Sequence, residues 1–194
     1  TGPRQLLPAR ASHFLAERRP GDLVRGWVLP DSHSLKHAQK AGRGCIAICT
    51  GSGISGVLSG LRDPSLRYTA ARLWLVYGVR SWKQKALYGA ELEDLCAKGT
   101  IERMDVAVSR PVDNEAPRRH VQDVLWERRQ ELARCLRQGW AVFVCGGQSM
   151  GEQVRDLMKR IVLDQELAST EAGAEALLRH WEATMRYQAS VSGI

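Results

Sequence analysis

The sequence predicts an α/β fold, an open, parallel, five-stranded sheet with helices on both faces. From Ile46 onward, short apolar runs alternate with segments of helical periodicity, which is the order typical of parallel sheets. Two of these runs, 46–50 and 142–145, lead directly into glycines, and a helical pattern follows each turn. Because ligands of open α/β sheets bind beyond the carboxyl ends of the strands, these two turns predict a binding crevice.

Hydrophobic periodicity gives the bounds of each element. The predicted strands cover about 45–49, 72–77, 103–108, 140–145 and 186–191. The predicted helices of this region cover about 86–97, 118–137, 149–166 and 171–184, and the last three have apolar residues at helical spacing.

The first 44 residues differ in character from the rest. They predict a short helix over 12–19, a strand over 23–29 that Pro30 ends, and a polar linker over 31–44. They contain 8 Lys and Arg against 3 Asp and Glu, whereas residues 45–194 contain 20 against 18. We therefore predict a domain boundary at residue 44. The near-balanced second part argues against a nucleic-acid partner, despite the net charge of +7.

Other compositional features exclude several classes of protein. No run reaches the roughly 18 apolar residues of a membrane span, and the first residues show no signal-peptide pattern. The five cysteines are odd in number and have neither disulfide-framework nor zinc-ligand spacing, so we predict no metal site and a reducing, cytoplasmic location. Because the chain begins at Thr1, we expect it to be part of a longer polypeptide.

The segment 51–56 fits the pattern G-x-G-x-x-G between a strand and a helix. Its glycines allow close backbone approach, and the N–H groups of a helix N-terminus bind pyrophosphate. A Rossmann site for NAD also needs an acid at the end of the next strand, but that strand ends at Tyr77-Gly78-Val79-Arg80. The motif thus predicts either a dinucleotide site without this acid or a tight turn with no ligand.

Basic residues follow the third strand. Ser109 and Arg110 stand at its end, and Arg118 and Arg119 come eight residues later. Together they could bind a phosphate monoester such as the 2′-phosphate of NADP(H), which would explain the missing acid. The alternative is a solvated basic loop.

Cys145 stands at a strand end, where it could touch a ligand in the crevice. The other four cysteines are predicted to be small buried hydrophobes, and Cys145 could be one as well. Its neighbours Gly146 and Gly147 include no base that would activate a thiol, so covalent catalysis is not predicted. A thiol beside a nicotinamide can still act through packing.

Five segments in order carry a resemblance to a known family: ICTGSGISG, LVYGVR, VSRP with RRHVQDVL, VFVCGGQSM and RYQASV. They resemble the NADPH-binding domain of the ferredoxin–NADP reductase superfamily, most closely that of sulfite reductase flavoproteins and other diflavin-type reductases. In this family NADPH passes hydride to FAD, and electrons then leave singly. The resemblance implies NADP(H) and FAD as cofactors, and as partners a flavin domain and an FMN, haem or iron–sulfur acceptor. If the parent protein is anchored, it implies the cytoplasmic face of a membrane.

The resemblance also assigns roles to residues that would contact the nucleotide. Cys145 is implied to lie beside the nicotinamide C4 as the active-site cysteine. His120 takes the place of a tyrosine near the adenine. The other implied cofactor contacts are the pyrophosphate turn Gly51, Ser52 and Gly53; Arg80; the 2′-phosphate clamp Ser109, Arg110 and Arg118; and Gln122, Gly146 and Met150.

The chain departs from the family at its two ends. Residues 11–18 resemble the helix that closes the FAD domain, with Ser12 at the start that holds the FAD pyrophosphate, but the rest of the barrel is missing. At the other end, Ser190 occupies the position of the catalytic acid and Ser192 that of the aromatic residue that covers the flavin. These departures leave an alternative open, namely a flavin-less, non-enzymatic domain that binds or senses NADP(H) or binds another protein.

Overall fold

The computed structural model describes residues 10–26, 35–41, 43–62, 72–81, 88–111 and 117–192. The chain divides into two compact units, Thr1–Asp31 and Ser32–Ile194. The first unit contains helix α1 (Arg10–Ala16), which confirms a helix near the predicted place. The strand predicted over 23–29 is wrong for residues 23–26, which form no strand, and 27–29 lie outside the described residues. Leu23 is 96% exposed, so the apolar alternation there covers no neighbouring surface.

The second unit is built on a sheet of five strands, all paired in parallel in the order β3-β2-β1-β4-β5. The five predicted strands are confirmed to within two residues at each end. Their bounds are β1 (Gly44–Thr50), β2 (Arg72–Val79), β3 (Arg103–Val108), β4 (Ala141–Gly147) and β5 (Tyr187–Ser192).

Helices cover both faces of this sheet, as predicted. Alternate side chains of β1 point to opposite faces: Ile46 and Ile48 belong to one core, and Cys45, Ala47 and Cys49 to the other. The second core is completed by α2 (Leu35–Ala41), α3 (Ile54–Arg62) and α4 (Gly89–Ala97). The first is completed by α5 (Val121–Glu127), α6 (Arg129–Arg137), α7 (Gln148–Asp164) and α8 (Glu171–Ala183).

The structure corrects two details of the predicted helices. Residues 35–41, predicted to belong to a linker, form α2, which packs against α3, β1 and β4. Leu35, Ala38 and Gln39 lie at helical spacing and are buried, so this segment is part of the core despite its polar composition. The single helix predicted over 118–137 is two helices, because the backbone of Arg128 leaves the helical region at φ −96° and ψ 12°.

Among the described residues, no helix is both long and apolar enough to span a bilayer.

Candidate functional site

The carboxyl ends of β1 and β4 form the point where the chain connections part. The two strands are neighbours in the sheet, but β1 leads to α3 on one face and β4 leads to α7 on the other. Open α/β sheets bind ligands in the crevice at such a point. The crevice predicted from the two glycine turns therefore lies at the point of the sheet where ligands of such folds bind.

The glycines after β1 have two different functions in the turn. Gly51 has a left-handed backbone, with φ +53°, and has open space around it. A Cβ on Gly53 would lie 2.2 Å from the carbonyl oxygen of Cys145, and a Cβ on Gly56 would lie 2.9 Å from its Sγ. Gly53 and Gly56 therefore let the turn and α3 pack against the end of β4, while Gly51 and Ser52 remain exposed to a ligand.

A cavity of about 560 Å³ lies at the carboxyl ends of β1, β2 and β3, beside the N-termini of α5 and α7. It brings together seven of the residues predicted for the cofactor. These are Gly51, Ser52, Arg80, Ser109, His120, Gln122 and Met150.

The ends of β2 and β3 hold the cavity wall together beyond the last strand residues. The Ser109 N–H and Oγ both donate to the Val79 carbonyl, at 2.9 and 3.2 Å, and the Arg110 N–H donates to the Arg80 carbonyl at 2.8 Å. Arg80 is exposed at the edge of the cavity. The side chains of Ser109 and Arg80 are thus held on adjacent strand ends.

The arginine that lines the cavity from the β3–α5 connection is Arg119, not Arg118. Arg118 and Arg110, both assigned to the 2′-phosphate clamp, are exposed and are not among the lining residues. Arg119 is half-buried, and its backbone N–H donates to the Val108 carbonyl at 2.8 Å. Motif position alone does not indicate which of these two arginines lines the cavity.

Polar groups connect α5 to α7 at the far side of the cavity. The His120 N–H donates to Asp123 Oδ2 at 2.7 Å, which caps the start of α5 and leaves the imidazole exposed. Gln122 Nε2 donates to Gln153 Oε1 at 2.8 Å, and Gln153 Nε2 donates to Ser149 Oγ at 3.2 Å. Gln153 and Ser149 were not predicted, although both belong to the first turns of a helix that follows a glycine turn.

Cys145 and Ser190 lie next to this cavity rather than in it. They are register partners on β4 and β5, and Cys49 of β1 is the partner of Cys145 on the other side. Neighbouring residues in register point to the same face, so the three side chains form a row at the carboxyl edge. Cys145 is half-exposed and Ser190 is exposed, so a ligand bound along this edge can reach both.

Burial keeps Cys49 of this row, and its register partner Tyr77 on β2, neutral. Burial, and then the nearby Cys145, raises the pKa of the Cys49 thiol well above its usual value. Burial also raises the pKa of Tyr77, whose hydroxyl donates to the Gly51 carbonyl at 3.4 Å, to about 12. Cys45 and Cys49 are buried as predicted, but the same prediction is wrong for Cys96 and Cys135, which are only half-buried.

The last predicted contacts have different outcomes. A Cβ on Gly146 would lie 2.5 Å from Met150 Cε and 2.6 Å from Thr50 Oγ1, so a larger residue there would displace these two side chains at the edge of the cavity. Ser12 belongs to α1 in the first unit, and its side chain lies outside the described residues, as does that of Ser192.

Among the described residues, no group of three or more His, Cys, Asp or Glu could hold a metal ion.

Comparison with known proteins identifies the family of the chain. Residues 47–156, more than half of the chain, match the family model of the oxidoreductase NAD-binding domain. The chain is 32% identical to a self-sufficient cytochrome P450 monooxygenase of Oidiodendron maius, over 93% of its length and 18% of that protein's. It is 28% identical to the NADPH sulfite reductase flavoprotein alpha-component of Shewanella oneidensis, over 93% of its length and 29% of the relative's.

The chain thus spans less than a third of each of these relatives. The matches confirm the resemblance to the NADP-binding part of diflavin-type reductases, which rested on five ordered motifs. By this match and by its fold, the chain belongs to the oxidoreductase NAD-binding domain family.

Proposed function

We propose that the chain is the NADPH-binding domain of a flavoprotein reductase, which positions NADPH for hydride delivery to FAD. The observation that carries the proposal is the order of the site residues across the carboxyl edge. Ser109, Arg80 and Gly51 directly follow β3, β2 and β1, and the row continues to Cys145 and Ser190 near the ends of β4 and β5. With strands about 4.8 Å apart, this row extends over about 19 Å, which suits an extended dinucleotide rather than a small metabolite.

The adenosine half of the nucleotide would occupy the 560 Å³ cavity. His120 would contact the purine, and Ser109 with the neighbouring arginines would bind the 2′-phosphate through charge-assisted hydrogen bonds. The cavity is lined by the exposed Arg80 and the half-buried Arg119, and its described lining residues include no carboxylate. This distribution of charge supports an anionic ligand.

The pyrophosphate would lie over the turn after β1. The exposed backbone of Gly51 and Ser52 leads into α3, and α7 begins next to it without a side-chain cap at Gly147. The first N–H groups of a helix have no partner within the helix, and the helix dipole favours negative charge there. Arg80 would supply an exposed cation from the neighbouring strand end.

The nicotinamide would lie against Cys145 at the end of β4. When bound, nicotinamide supplies a hydride and FAD accepts it. The thiol of Cys145 would set the position of the ring through packing, and the exposed row of Cys145 and Ser190 leaves this edge open to a flavin. The Ser190 hydroxyl can form hydrogen bonds but is no acid at neutral pH, so this chain would orient the two rings rather than move a proton.

We further propose that the first unit is the end of an FAD-binding domain, with Ser12 at the FAD pyrophosphate. The domain boundary predicted at residue 44 would then move before α2, since α2 packs on β1 and β4. A flavin domain and an FMN, haem or iron–sulfur acceptor would be the partners, and the cytoplasm, or the cytoplasmic face of a membrane, the location. The relatives, a sulfite reductase flavoprotein and a self-sufficient cytochrome P450 monooxygenase, support this proposal.

Calorimetric titration of the chain with NADP⁺ and with NAD⁺ tests the proposal. We expect both to bind, with a clear preference for NADP⁺, because only NADP⁺ has the phosphate that the cationic side of the cavity would recognise. Binding of NADP⁺ without any activity after a flavin domain is supplied would favour the non-enzymatic alternative. Absence of binding to either nucleotide would contradict the proposal.

A further inference from the structure

Arg119 is positioned in an unusual way for a cavity arginine. Its backbone is fixed at the end of β3 through the 2.8 Å hydrogen bond to the Val108 carbonyl. Its Nη2 forms an ion pair with Oε2 of Glu127, eight residues further along the chain. Glu127 is the last residue of α5, whose first residues, Val121 and Gln122, line the cavity. The pairing therefore draws the guanidinium along the helix, away from the end that faces the cavity.

The carboxylate of Glu127 accepts hydrogen bonds from only some of the N–H donors of this guanidinium. The Nε of Arg119 is buried and has no hydrogen-bond partner among the described residues. A guanidinium has five N–H donors in a planar fork, and a carboxylate offers two oxygens. Arg119 therefore retains donors for another anion.

The pair is also accessible enough to exchange partners. The Arg119 side chain is 33% exposed and that of Glu127 is 56% exposed. Exposed ion pairs are weak, because water screens them and two long side chains must be held in one geometry. A phosphate monoester carries nearly two negative charges at pH 7 and three acceptor oxygens, so it competes well against a single carboxylate.

We propose that Glu127 is a built-in competitor of the nucleotide's 2′-phosphate for Arg119, and that this competition sets the preference for NADP(H) over NAD(H). The inference rests on the proposed function. Binding of NADP(H) would require the guanidinium to leave Glu127 and turn back to the cavity. NAD(H) has no 2′-phosphate and leaves the pair intact, so Glu127 lowers the affinity for NADP(H) selectively.

Glu127→Gln tests this directly, because it removes the charge of an exposed side chain and keeps its shape. We expect the dissociation constant for NADP⁺ to fall about two- to fivefold, the range that follows from the usual strength of exposed ion pairs. The dissociation constant for NAD⁺ should not change. In a background with Arg119→Gln, the gain from Glu127→Gln should disappear.

Glu102→Gln is the matched control. Glu102 forms an ion pair with Arg72 at the opposite, amino-terminal edge of the sheet, so the change in net charge is the same but the pair lies far from the cavity. Titrations at about 0.15 M salt, where the screening length is about 8 Å, limit long-range effects of the lost charge. This control should bind NADP⁺ as the unaltered chain does.

The possible failures are distinguishable. If the unaltered chain prefers NADP⁺ but Glu127→Gln and Glu102→Gln bind it equally well, the competition is refuted and the proposed function stands. An equal gain for NAD⁺ and NADP⁺ in Glu127→Gln would also refute it, since the effect would not involve the 2′-phosphate. If the unaltered chain binds neither nucleotide, the proposed function and this inference both fall.

Discussion

Replacement of Gly53 by alanine tests the close contact between the glycine turn and β4. The new Cβ would lie 2.2 Å from the Cys145 carbonyl oxygen and 2.7 Å from its carbon, and both distances are well below an ordinary contact of 3.4 Å or more. These neighbours are backbone atoms of a central strand, so no side-chain rotation relieves the overlap. The turn after β1 must move away from β4, and the crevice between them must widen.

Gly53→Ala should lower the free energy of unfolding by about 3 kcal/mol, which is the upper end of the range for an overpacked core. For a unit of this size, about 3 kcal/mol lowers the unfolding midpoint by about 6–12 °C. Thermal unfolding followed by circular dichroism measures the shift, and an NADP⁺ titration should show weaker binding because the turn is displaced.

Gly147→Ala is the control for Gly53→Ala. It is the same substitution at the end of β4, at φ −73° and with nothing within 4 Å of the new Cβ. It should change the midpoint by far less. Equal midpoints and equal NADP⁺ affinities for the two variants would refute the packing of the turn against β4.

Two further predictions concern the core and the acid sensitivity of the second unit. Leu35→Ala should cost about 2–5 kcal/mol in unfolding free energy, because Leu35 of α2 is fully buried. Leu15→Ala, at an exposed position of the first unit, should cost little, and chemical denaturation measures both changes. Hydrogen bonds from Arg155 lower the pKa of Glu175 to about 2 from 4.5. The ionised Glu175 carboxylate contributes its full stabilisation above about pH 4.5, and this contribution is lost as the pH falls towards 2. In Glu175→Gln the unfolding midpoint should therefore depend less steeply on pH between these values. A pH dependence equal to that of the unaltered chain would contradict the assignment.

The three central strands of the sheet could be predicted closely because they are nearly continuous apolar runs. Residues such as Ile46, Ile48, Val142 and Val144 are buried on one face while their neighbours are buried on the other, so the signal does not depend on alternation. Helix α2 escaped prediction because Leu35 is its only large apolar residue and the two alanines give little periodicity. Its place is decided by tertiary packing against the sheet.

The candidate site was predictable in its strand ends but not in its side-chain directions. Motifs located Gly51, Arg80 and Ser109 because each follows a strand whose carboxyl end must face the crevice. Whether Arg118 or Arg119 lines the cavity depends on the direction in which the connection enters α5. No hydrophobic periodicity in the sequence indicates this direction. The pairing of Arg119 with Glu127 depends on the helix that separates them and on the break at Arg128 that ends it.

The central claim is that NADP(H) lies across the carboxyl edge of the sheet, from β3 to β4. Backbone amide chemical shifts, recorded by NMR while NADP⁺ is added, test it most directly. The account predicts that the largest changes fall at residues 51–54, at Arg80, Ser109 and His120, and at 145–150. Changes confined to the amino-terminal edge, around Arg72 and Glu102, or the absence of any change at saturating NADP⁺, would contradict it.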